Sequence, residues 1–319
     1  MDEPEPSPTP VEPAPPHTRR RPGRRLRRGA AAAGLLVAAW MAISFAVAYR
    51  LTSRHHAPYP EPPPRVSWGT MEGLRLVSVD GLGIGAWFAE GRAEAPSVLF
   101  LHGNGGDRHH CLERAEILAS ELGCAAMFIT LRAHGDSDGD FNDIGYSARR
   151  DVAAAVDFLR GRRPNRPVIV FGVSLGSAAA AFAAEELGGK VAGYVLESPY
   201  GDLKTAVWNR TKAALPTPLD RVAYLGLRLS ALVLLPQLDV ISPVRAIGGV
   251  PEDVPVLILA GGSDDLATAA EARAIFDRVR THGTLEVFPK ARHNDLASVE
   301  PDRYRRIILD FIAGVTAPR

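Results

Sequence analysis

Four short stretches of this chain hold the residue types needed for nucleophilic attack on a carbonyl. The first is Gly172-Val173-Ser174-Leu175-Gly176, which directly follows an apolar β-type run and opens an alanine-rich stretch. A sharp strand-to-helix turn at a G-x-S-x-G pentapeptide lifts the serine hydroxyl above the sheet edge, and glycines let the flanking backbones pass closely. The same serine is also a sound N-cap for a helix beginning at Leu175, so the pentapeptide alone does not decide its role.

A serine nucleophile needs a base, and the base needs an acid to orient it. Both follow in the order Ser, acid, His. After the run VPVLILA comes Gly261-Gly262-Ser263-Asp264-Asp265, a turn at a strand end, where functional groups of open α/β sheets gather. Asp264 is the candidate orienting acid. Asp265 is its rival, and either aspartate could simply cap the helix expected from Leu266. After the run LEVF, the loop Lys290-Ala291-Arg292-His293-Asn294-Asp295 supplies His293 as candidate general base. His282 lies at a helix end before the last strand, where an interaction with the helix dipole accounts for it. The fourth stretch, Leu101-His102-Gly103-Asn104-Gly105-Gly106, follows the run SVLF. Its glycines allow backbone N–H groups to face a cavity, and the N–H groups of Asn104 and Leu175 are the candidate oxyanion hole. His102 is expected to hold this loop rather than to react. The loop lacks both Gly-x-Gly-x-x-Gly and a Lys-Ser/Thr ending, which argues against phosphate binding.

Positioning these groups requires strands that end at one edge. Apolar runs at 74–79, 82–88, 97–101, 125–130, 167–172, 191–197, 255–260 and 284–288 alternate with helical patterns at 109–122, 147–160, 175–187, 266–281 and 302–313. That alternation predicts a parallel sheet covered by helices on both faces, the first two runs forming an antiparallel edge hairpin about Gly81. An insertion at 198–254 interrupts it with apolar helical stretches at 203–214 and 219–235. The second is apolar on nearly every face, hence either buried or folded over a greasy site. Cys111 and Cys124 are expected at the two ends of one helix, too far apart for a disulfide. They form no cluster with histidines at zinc spacing, and no metal or cofactor is called for.

The N-terminal quarter differs in composition. Residues 1–28 combine a proline- and acid-rich start with seven arginines, and are expected to be a disordered cytoplasmic tail. Residues 29–50 contain an uncharged stretch, Ala30–Tyr49, long enough to span a bilayer. Arginines before it and a proline-rich spacer at 51–67 after it predict a single-pass signal-anchor with the body, 68–319, on the exported side. Ala46-Val47-Ala48 resembles a small-residue cleavage site, so a secreted product remains open, as does a buried helix. Beyond residue 28 the chain carries 30 Lys and Arg against 32 Asp and Glu, which gives nucleic acid no overall attraction.

Taken together, LHGNGG, LRAHGDSDG, GVSLG, LESPY, GGSDD and ARHND resemble the α/β-hydrolase superfamily, particularly its small bacterial serine hydrolases, over about residues 74–315. The resemblance implies an α/β-hydrolase fold with an eight-stranded, mostly parallel sheet, the site at the strand carboxyl ends and a small helical cap at 198–254. The residues support a two-step hydrolysis of carboxylic esters or thioesters by Ser174, His293 and Asp264, and the apolar cap together with the membrane anchor suggests acyl or lipid-like esters. A serine nucleophile sets the chain apart from the branches that use aspartate. A peptidase or amidase of the same fold, or an inactive membrane-tethered binding protein, are the alternatives.

Overall fold

The structure, a computed structural model, describes residues 24–316; the expected disordered tail falls outside the described residues up to position 23. It begins with α1 (Arg24–Leu51), so helix starts inside the stretch expected to be disordered. Of this helix, Arg27–Leu51 is long and apolar enough to cross a membrane. Among the described residues, those up to Ala42 form a unit of their own, and those from Ile43 onward belong to the second unit, described next.

That unit is built from β1 (Met71–Val77), β2 (Gly83–Ala89), β3 (Ser97–Leu101), α2 (Leu112–Leu122), β4 (Ala125–Ile129), α3 (Arg149–Arg162), β5 (Val168–Val173), α4 (Leu175–Leu187) and β6 (Gly193–Glu197). It continues through α5 (Leu203–Ala214), α6 (Leu219–Leu234), α7 (Pro243–Ala246), β7 (Val256–Gly261), α8 (Ala269–Phe276), β8 (Gly283–Phe288), α9 (Leu296–Val299) and α10 (Pro301–Thr316). The strands form one eight-stranded sheet in the order β1-β2-β4-β3-β5-β6-β7-β8. β1 and β2 pair antiparallel about the turn at Gly81, β2 pairs antiparallel with β4, and the remaining neighbours are parallel.

Continuous apolar strands are explained by burial on both faces. Along β3, Leu99 and Leu101 join the core beneath α3 and α4, whereas Val98 and Phe100 join the core beneath α2 and α10. Each such fully buried large side chain contributes about 1.5 to 3 kcal/mol. α4 is buried nearly throughout, and its run of alanines lets it lie close against the sheet. The expected helix over 109–122 starts as a tight 3₁₀ turn at Arg108–Cys111 before α2, and both cysteines are free and buried.

The insertion forms α5 and α6. In α6 the buried residues are Asp220, Gly226 and Ser230, while Leu219, Val222, Leu225, Leu232 and Val233 are exposed. Leu227, Ala231 and Leu234 of the same helix line a pocket, so one apolar face is turned inward and another is left outside.

Residues expected to be a stiff spacer are packed on the body instead. Arg54 donates to the carbonyls of Gly135 (3.1 Å) and Gly139 (2.7 Å), and its own N–H reaches Asp140 O at 2.9 Å. Glu61 is buried among prolines, where its carboxylate accepts from Arg108 Nε (3.1 Å), Thr130 Oγ1 (2.8 Å) and the Asp136 N–H (3.0 Å). Proline spacing reads as a spacer; the buried acid within it is what ties it down. Arg108 also reaches Asp136 at 2.6 Å, so loss of Glu61 would leave it one carboxylate but would take the acceptor from the Thr130 hydroxyl and the Asp136 N–H. Glu61→Ala is therefore expected to cost about 1–3 kcal/mol in chemical unfolding of the full chain; an unchanged midpoint would contradict this packing role.

Candidate active site

The turn between β5 and α4 carries Ser174 at φ 51°, ψ −107°, a strained conformation for a residue with a side chain. Two glycines make the turn possible. A Cβ at Gly176 would sit 2.3 Å from Leu101 O, and one at Gly172 would sit 2.5 Å from the Gly176 carbonyl. Hydrogen bonds then fix it: the Ser174 N–H donates to Glu197 O (2.8 Å), and the Ser177 hydroxyl contacts Gly172 O (2.7 Å) and Glu197 O (2.9 Å).

Ser174 Oγ lies 3.0 Å from His293 Nε2, and His293 Nδ1 lies 2.7 Å from Asp264 Oδ2. The imidazole thus bridges a hydroxyl and a carboxylate. Asp264 also braces the turn that follows it: its Oδ1 accepts the N–H groups of Leu266 and Ala267, both at 2.8 Å. One carboxylate holds the turn with one oxygen and the histidine with the other. Asp265 is exposed, and α8 starts later than expected, capped by Thr268 and Glu271. His282 contacts Thr281 Oγ1 at 3.0 Å, away from this constellation.

The loop after β3 approaches from the other side, and a Cβ at Gly103 would lie 3.5 Å from the Ser174 Cβ. The backbone N–H groups of Asn104 and Leu175 have no hydrogen-bond partner among the described residues. Two buried histidines hold this loop. His102 Nδ1–H donates to Gly103 O (2.7 Å) while Nε2 accepts from the Leu131 N–H (3.0 Å). His134 Nδ1–H donates to Arg132 O (2.9 Å) while Nε2 accepts from the Gly105 N–H (3.1 Å). Burial pushes the pKa of His102 down to about 3 and that of His134 to about 4, which keeps both neutral and their acceptor nitrogens available. From the segment after α1, His55 Nε2 lies 3.3 Å from the Asn104 side chain, whose Oδ1 also accepts from Asn142 at 2.8 Å.

Beneath the turn, the buried Glu197 carboxylate accepts from Arg114 Nε (2.8 Å) and the Tyr304 hydroxyl (2.6 Å). This support was not anticipated, although LESPY marked the place; the partners lie 83 and 107 residues away. A pocket opens beside Ser174, Leu175 and Asn104, walled by α5, α6 and the end of α1 at Ala48 and Leu51. A separate trio, Glu61, Asp107 and His109, brings donor atoms within 4.8 Å of one another. Glu61 there is already neutralised by Arg108, so the trio offers a cation little charge.

Residues 98–307 match the model of the alpha/beta hydrolase family. The chain belongs to that family. Among curated relatives it is 28% identical to the alpha/beta hydrolase domain-containing protein WAV2 of Arabidopsis thaliana over 262 residues, covering 80% of this chain and 82% of that one. An uncharacterized Mycobacterium tuberculosis protein, Rv2307c, is 30% identical over 239 residues, 73% of this chain and 74% of its own. Among solved structures, the family fold is matched by the Pyrococcus furiosus esterase Pf2001 with TM-score 0.66 at 20% identity, over 82% of this chain and all of that one.

The paired histidines make a pH prediction. Unfolded, both titrate near 6.5; folded, they do so near 3 and 4. Between those values the unfolded chain binds more protons, so their contribution is complete above about pH 6.5 and drains away as pH falls toward 4. Calorimetric midpoints should drop over this window, and His134→Gln should flatten the slope; a slope unchanged by the substitution would contradict the assignment.

Proposed function

We propose that this protein is a serine hydrolase that cleaves carboxylic ester or thioester bonds through an acyl-enzyme intermediate. The observation that carries the reading is the relay Ser174 Oγ, His293 Nε2, Nδ1 and Asp264 Oδ2, at 3.0 and 2.7 Å. His293 takes the Ser174 proton as Oγ bonds to the carbonyl carbon. The N–H groups of Asn104 and Leu175 receive the oxyanion, each contributing about 3 kcal/mol to lowering the barrier. Collapse breaks the bond to the leaving oxygen or sulfur, which takes its proton from His293. Water then attacks the acyl-serine, giving His293 a proton that returns to Ser174 as the acid departs. Asp264 holds the imidazole tautomer through its hydrogen bond to Nδ1.

Lipid-like acyl chains are favoured by the pocket wall, where Leu203, Val207, Leu227, Ala231, Leu235 and Leu238 offer apolar surface beside Ser174. The same wall favours an uncleaved anchor over a removed signal, because Ala48 and Leu51 contribute to it and cleavage after Ala48 would open it. With arginines before the apolar helix, the body lies on the exported side.

Hydrolysis of p-nitrophenyl esters by the full chain in detergent tests the chemistry. Ser174→Ala and Asp264→Asn should each lower kcat by on the order of 10⁴-fold or more, with the optimum at acyl chains longer than acetyl; undiminished turnover by folded Ser174→Ala would refute it. N-terminal sequencing of the membrane-bound protein tests the anchor: residues before Ile43 should remain attached, and a mature start after Ala48 would contradict retention.

A further inference from the structure

The pocket beside Ser174 is apolar along most of its wall, yet three of its lining residues are cationic, Lys204, Arg210 and Arg228, and none is acidic. Lys204 is spoken for by Asp239, 2.6 Å away. Arg210 and Arg228 have no carboxylate at ion-pair distance among the described residues. Arg210, half-buried on α5, donates from Nη1 to Ala206 O (3.1 Å) on its own helix, and its remaining donors have no partner among the described residues. The acids whose charge reaches it, Glu271 and Asp264, are both engaged. Asp264 is held by His293 and two backbone N–H groups, and Glu271 by the Gly201 N–H, Asn209 and Thr268. Arg228 is exposed on α6 and lies over the Tyr224 ring, 5.7 Å from its centroid.

A guanidinium set into an apolar wall without a counter-charge is costly, and burial accordingly lowers its pKa. A ligand oxyanion entering the pocket would offset that cost, and the planar fork of donors fits phosphate or carboxylate oxygens two at a time. We infer that Arg210, with Arg228 at the rim, is an anion subsite that selects amphiphilic esters bearing a phosphate or carboxylate group, whose aliphatic part lies along the leucines of α5 and α6. As a statement about substrate, this rests on the hydrolase reading above; as a statement about binding, it does not.

Calorimetry on the full-length Ser174→Ala protein in neutral lipid nanodiscs separates the two, with octyl phosphate, octanoate and octanol as probes. Octyl phosphate or octanoate should bind about 10- to 100-fold more tightly than octanol, and the tighter of the two names the anion. Arg210→Met should remove most of that preference, Arg228→Met a smaller share, and Arg210→Lys should restore part of it. Equal binding of all three probes, or a preference that survives Arg210→Met in folded protein, overturns the inference. A parallel assay compares 1-octanoylglycerol with its 3-phosphate on the unsubstituted chain. Arginine-dependent binding of octyl phosphate with neither ester cleaved would defeat the hydrolase reading and leave the subsite standing. Equal kcat/KM for both esters together with no anion preference in binding would do the reverse.

Discussion

The backbone at Ser174 occupies a region that costs of order 1–3 kcal/mol for a residue with a Cβ, and much of the surrounding architecture exists to hold it there. Its N–H and the Ser177 hydroxyl converge on the carbonyl of Glu197, at the end of the neighbouring strand β6. That strand end is fixed in turn because the Glu197 side chain is buried against Arg114 of α2 and Tyr304 of α10. The helices on one face of the sheet therefore clamp, through the end of β6, the turn that follows its neighbour β5. Glycine at 172 and 176 removes the side chains that would prevent so tight a fit.

The glycine loop facing the turn is held by a different device. His102 and His134 bond backbone groups at both ring nitrogens, which demands that each stay neutral, and burial ensures it. A protonated imidazole in either place could no longer accept the backbone N–H that it now holds. The segment following α1 adds its own contacts through His55 and Arg54, so the exit of the apolar helix and the mouth of the pocket are parts of one packed region.

The sheet was legible because strands buried on both faces leave continuous apolar runs, and helices between them leave a period near 3.6; the eight expected runs match β1 to β8 within a few residues. Ser174, Asp264 and His293 were legible because each sits at a strand end in an order that the turn chemistry makes meaningful, and the fold brings them within hydrogen-bonding distance. Less visible were features that depend on a distant partner. Glu61 reads as one acid among prolines, and its Arg108 partner lies 47 residues on. Arg210 reads as an ordinary helix-surface arginine, since nothing local says that α6 folds over it. The outward leucines of α6 were ambiguous for the same reason: composition records how apolar a helix is, not which side has a neighbour.

The proposed chemistry turns on Ser174 being a hydroxyl activated by His293. Peptide mass mapping after treatment of the full chain with a fluorophosphonate tests this most directly. One adduct per chain on the peptide containing Ser174, formed far more slowly in folded His293→Ala protein, is the result expected. A folded chain that takes up no adduct, or takes it up on another serine, would contradict the central claim.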